Sequence, residues 1–204
     1  MPRKVNEENE RIKRAYLTFL REAKRCDDAT VLKAANAILR LEASTGYKSF
    51  KRFHIEQPRA FKAKLNEDRS ATTCKPLSKA TISGILQANK AFFIWLAGQP
   101  GYKSRISYSD AEYFNQNAKD ARIAHTQRDA PYPTLAQCRH AFDRMPEGTY
   151  IERRNKALFA FLMITAARDG AIASFRLKHV DLIEGTVFQD AREVRTKGAK
   201  TFTT

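Results

Sequence analysis

The chain's 204 residues allow one large domain or two small ones, and 43% hydrophobic against 29% charged residues is an ordinary water-facing balance. Lys and Arg number 37 against 22 Asp and Glu, a net charge of +15 that favours a polyanionic partner, nucleic acid or anionic membrane. The longest apolar run, residues 157–167 broken only by Thr165, falls far short of the roughly 20 residues a bilayer span requires. Charges of both signs through the first 25 residues leave no apolar signal core, so a cytoplasmic setting without a membrane partner is expected. Cys26, Cys74 and Cys138 are scattered singly, as are His54, His125, His140 and His179; neither disulfide nor metal spacing occurs, and no cofactor is expected.

In chain order, residues 6–25 carry Ile12, Tyr16, Phe19, Leu20 and Ala23 at helical spacing. Asp28 or Thr30 caps a second helix with Val31, Ala34, Ala35, Ile38 and Leu41 on one face, ended by Gly46. A short apolar segment, residues 49–53, leads to a third helix over 54–66 with Pro58 near its start. After a polar loop, Ser78 caps a fourth helix burying Ile82, Ile85, Leu86, Phe92, Phe93 and Leu96, with Trp95 beside them. These four predict an all-α domain over residues 1–104. Residues 105–130 read as a linker, with a helical candidate at 110–118 and the strongest break at residues 129–133. A second unit, 131–204, begins with Thr134 capping a helix that carries Leu135, Cys138, Ala141, Phe142 and Met145. The most apolar helix covers 152–165, a short one follows at 170–175, and β-prone segments stand at 186–188, 193–195 and 201–203, with turn chemistry at 197–200.

An arginine directly after the most apolar helix is unusual. Arg168 either holds an anion, for which its planar fork suits a phosphate, or answers the helix dipole. The segment around it resembles the tyrosine recombinase (phage integrase) box in which a Thr-Gly-hydrophobic-Arg turn precedes a short helix and a basic-to-Asp tail. Thr165, Arg168, Ile172, Phe175, Arg176, Val180 and Asp181 stand at the matching offsets. Residues 195–201 are similar to the family's lysine-bearing β-hairpin, and residues 77–97 to the last helix of its core-binding, SAM-like domain. Likeness is strongest over 77–97 and 156–203 and weakest in the first 70 residues.

The resemblance implies a fold that is mainly α, a SAM-like four-helix core-binding domain followed by the first part of an α+β catalytic domain. It implies a nucleoid-associated protein clamped around double-stranded DNA, beside other recombinase protomers. Arg168 would clamp the scissile phosphate and Lys197, with Lys200 as its rival, would protonate the leaving 5′ oxygen. Lys79, Thr81, Ser83 and Lys90, read as one helix side opposite the apolar stripe, would meet phosphates, joined by Arg122, Arg128, Arg176 and Lys178. Two departures stand out within the box: Ala166 replaces the family's Gly, and Ala171 its acid three residues after the arginine, leaving Asp169 as the nearest carboxylate. The family's His-x-x-Arg box and tyrosine nucleophile lie beyond the lysine hairpin, whereas all seven tyrosines here precede Arg168. A C-terminally truncated, DNA-binding fragment that does not exchange strands alone is therefore expected, with sheet edges and apolar surface left open in residues 130–204. The alternatives are a non-enzymatic regulator competing for recombinase sites, a recombinase completed by another chain, and an RNA-binding helical protein.

Overall fold

The computed structural model describes residues 5–70, 72–126, 131–196, 198 and 200–204. The chain is mainly helical with a small three-stranded antiparallel sheet, and it divides into two units, 1–128 and 129–204. No described helix is long and apolar enough to cross a membrane.

In the first unit, α1 (Glu7–Glu22) starts where the Asn6 side chain accepts the Asn9 N–H, and α2 (Asp28–Ser44) where Asp27, one residue before the expected cap, accepts that of Thr30. A 3-10 turn at Phe50–Arg52 leads to α3 (Glu56–Glu67), and Ser78 caps α4 (Lys79–Ala97) as expected. The core is aromatic. Phe92 meets Tyr16, Phe50 and Phe93 with ring centroids 5.1, 5.2 and 5.4 Å apart, and Phe93 stands 5.0 Å from Phe114. The three Phe92 pairs meet edge to face, an arrangement that adds to the stability area burial supplies.

One polar node sits within that core. Glu42, 1% exposed, receives the Asn9 Nδ2 at 2.9 Å and pairs with Lys13, which also pairs with Glu10. Asn9 further donates to the Lys48 carbonyl at 3.0 Å and accepts the Phe50 N–H at 3.0 Å. A carboxylate removed from water costs several kcal/mol unless each lone pair finds a donor. Here the donors come from α1, whose polar residues Asn9 and Lys13 stand on the same helical stripe as the buried Tyr16 and Leu20.

Residues 105–126, read from sequence as a linker, belong to the first unit. Ile106, Ala111 and Phe114 are buried in its core. The expected helix at 110–118 is instead a 3-10 run, Tyr108–Phe114, opened by Ser107, and a short helix α5 (Ala118–His125) opened by Asn117. The break at Asn115–Asn117 arises because Asn117 caps the second helix rather than continuing the first.

In the second unit, Thr134 caps α6 (Leu135–Asp143) and Thr149 caps α7 (Tyr150–Thr165), each with a reciprocal bond from the residue three positions on. A four-residue helix α8 (Asp169–Ile172) and a 3-10 turn (Leu177–His179) lead into β1 (Val180–Asp181), β2 (Thr186–Gln189) and β3 (Phe202–Thr203). The sheet order is β1-β2-β3, with Val180 opposite Val187 and Phe188 opposite Thr203. The expected pairing of 193–195 with 201–203 does not occur. Asp190 draws residues 190–194 into a turn, its carbonyl accepting the N–H groups of Glu193 and Val194 while its carboxylate takes Arg192 at 2.8 Å. Val194 is thereby buried, and β3 pairs with β2. Of α7 only Thr165 is buried, and Leu158, Leu162, Met163 and Ile164 are exposed.

Candidate nucleic-acid interface

The first unit has an open groove of about 540 Å³ between α2 and α4. Lys33, Asn36 and Arg40 line one wall, spaced at helical steps beside the buried stripe of α2; Ala80, Thr81 and Gly84 line the other. A Cβ built on Gly84 meets nothing within 4 Å, so the α4 wall is low and uncharged. The cations therefore stand on one side of an open trough. Arg40 keeps only a long contact to Asp68, 3.9 Å, which leaves its guanidinium available. Lys33 and Arg40 did not emerge from sequence reading, although their seven-residue spacing on the polar flank of α2 was visible.

The four α4 residues picked from sequence do not share one face. Thr81 is exposed in the groove, its hydroxyl 2.8 Å from that of Ser78. Lys79, Ser83 and Lys90 lie on the other flank of the buried stripe. Ser83 is buried and offers no hydroxyl to a ligand. Lys79 reaches Asp120 Oδ2 at 3.0 Å and Lys90 reaches Glu112 at 2.9 Å, so both cations are occupied by carboxylates of the segment after α4. Neither pairing was visible in the sequence, because those partners lie 41 and 22 residues along the chain. Arg122 is exposed on α5, and Arg128 lies outside the described residues.

In the second unit the turn bearing Arg168 is built by Ala166. This residue ends α7 in the left-handed region, φ +48°, with its N–H bonded to the Leu162 carbonyl. Glycine adopts that conformation without the Cβ penalty. Thr165 steadies the bend, its Oγ1 donating to the Phe161 carbonyl at 2.7 Å and accepting the Ala167 N–H at 3.2 Å. Arg168 then stands exposed at the N-terminal boundary of α8, with no ion pair among the described residues. Asp169 does not hold it: its carboxylate accepts the N–H of Gly170 at 2.8 Å. Ala171 is buried, so an acid at that position would lie in the core.

Arg195, two residues before Lys197, docks against α8 and the residues that follow it. Ser174 Oγ accepts the Arg195 N–H at 2.8 Å, and a Cβ on Gly170 would stand 3.8 Å from the Arg195 carbonyl oxygen. Lys197 itself lies outside the described residues, whereas Lys200 is exposed. Arg176 is exposed, and Lys178 pairs with Glu193 at 2.6 Å. Beneath them, His179 is 5% exposed; its Nδ1 accepts the Arg176 N–H at 3.0 Å and its Nε2 meets Glu193 Oε2 at 2.9 Å. That pattern places the ring proton on Nε2. The Lys178 and His179 hydrogen bonds hold the Glu193 carboxyl below its ordinary range. His179 and Glu193 were missed from sequence, being 14 residues apart with no local motif.

No family model, curated protein or solved structure matches the chain.

Proposed function

We propose that this chain is a DNA-binding fragment of a tyrosine recombinase, an integrase-type protein of DNA integration and recombination. In this reading the first unit is its core-binding module and the second the opening part of its catalytic domain. The observation that carries the proposal is the docking of Arg195 on Ser174. It brings the segment that precedes Lys197 against the short helix that follows Arg168, two sequence segments resembling separate boxes of one active site. The left-handed backbone at Ala166 adds support, since the family places glycine there.

Arg168 would grip a phosphodiester in two-point contact, with no carboxylate among the described residues to hold it back. Lys33 and Arg40, with Thr81 across the groove, would neutralise phosphates of the duplex and fix its position without reading bases. Arg176 and Arg122 are further exposed cations. Binding, rather than strand exchange, is the activity proposed for these 204 residues. The second reading, a non-enzymatic regulator competing for recombinase sites, uses the same surfaces.

Fluorescence anisotropy with a labelled duplex tests the proposal. Contacts to six to ten phosphates should weaken binding roughly 10³–10⁵-fold between 50 and 200 mM salt. Arg168→Ala should weaken it further at every salt concentration. Salt-independent binding, or equal affinity for the duplex and a neutral polymer, sinks the proposal.

A further inference from the structure

Polar contacts tie the eight residues of α5 to the first unit. No described side chain of α5 is buried, and its one large apolar group, Ile123, is 43% exposed. A helix shorter than about 12 residues does not persist alone in water, because one or two turns cannot offset nucleation. Its docking must come from contacts. Lys79 Nζ meets Asp120 Oδ2 at 3.0 Å and donates to Asn66 Oδ1 at 3.1 Å, tying α5 to α4 and α3. Just before α5, Lys90 donates to Asn115 Oδ1 at 3.0 Å and Lys62 to the Asn115 carbonyl at 3.2 Å. Asp120 is the sole acid of α5, beside Lys119, Arg122 and His125. It therefore occupies, within the free protein, the ammonium of Lys79.

We infer that α5 is an electrostatic latch: Asp120 holds Lys79 in the free protein, and duplex DNA, by drawing Lys79 onto a phosphate, shifts residues 118–125 about two- to fivefold toward release from α4. The inference rests on the DNA-binding reading above. Exposure decides its direction. The two side chains are 36% and 22% exposed, so solvent screens the pair and it shifts the docking equilibrium only about two- to fivefold. A polyanion competes with a contact of that strength, as it could not with a fully buried pair.

Amide exchange across residues 118–126, followed by mass spectrometry on the full chain with and without a short duplex, tests the latch. Asp120→Asn and Lys79→Gln should both accelerate that exchange in the free protein, about two- to fivefold. On DNA they should part: Asp120→Asn binds the duplex more tightly than the charge-matched control Glu67→Gln, and Lys79→Gln binds more weakly than the unaltered protein. Duplex should accelerate exchange in the unaltered protein and add little in Asp120→Asn. Exchange unmoved by both substitutions overturns the latch, as does an Asp120→Asn affinity equal to that of Glu67→Gln. Duplex binding with unchanged exchange in α5 overturns the latch alone; absence of duplex binding removes the functional reading and the DNA-driven release together.

Discussion

Ser174 Oγ accepts the backbone N–H of Arg195 at 2.8 Å while donating to the carbonyls of Gly170 and Ala171 at 3.0 and 2.9 Å. One hydroxyl thus joins the short helix after Arg168 to the segment before Lys197. Ser174→Ala should cost about 1 kcal/mol and accelerate exchange of the Arg195 amide about fivefold. Protection left intact would mean that another contact fastens the segment.

Ala166 carries a left-handed backbone that an L side chain adopts at a cost of about 1 kcal/mol. Ala166→Gly should therefore stabilise the second unit by roughly 0.5–1 kcal/mol, less glycine's greater entropy when unfolded. Denaturant midpoints of the two proteins check the sign; a destabilised glycine variant would contradict the backbone assignment.

Glu42 is the centre of the buried polar node of the first unit. Glu42→Ala leaves the Lys13 ammonium without its buried partner and should destabilise by about 3–5 kcal/mol. Thermal unfolding of this variant beside Glu67→Ala, an exposed acid, separates the node from a general charge effect.

Groove and flank make different demands on DNA binding. Lys33→Ala and Arg40→Ala should each reduce the salt slope of duplex binding by about 0.9, one phosphate contact apiece. Ser83→Ala should leave that slope unchanged, since Ser83 is buried. An equal effect from all three would place the duplex elsewhere.

Glu193 links stability of the second unit to pH. Hydrogen bonds from Lys178 first, and then from the His179 ring, lower its carboxyl pKa in the folded protein. A lowered carboxyl contributes stability above the unfolded value of about 4.3 and loses it as pH falls through the folded one. The denaturant midpoint gap between the unaltered protein and Glu193→Gln should be wide at neutral pH and narrow steadily below about pH 5. A gap independent of pH would mean that the bridge contributes nothing.

Local rules carried much of the fold into view from sequence. Ser78, Thr134 and Gly46 mark helix ends because capping and left-handed turns depend on a few adjacent residues, and the aromatic stripe of α4 announces its buried face by period alone. Tertiary structure alone decided which charges stand free. Lys79 and Lys90 read as exposed cations until residues 108–125 fold back with Asp120 and Glu112, and the polar Asn9 and Lys13 on the buried stripe of α1 find their partner only when Glu42 of α2 reaches them. Ion pairs between distant segments leave no periodic trace, because either partner alone looks like ordinary surface; only when the chain closes does a lysine find its carboxylate, and Lys33 and Arg40 are left to face the groove.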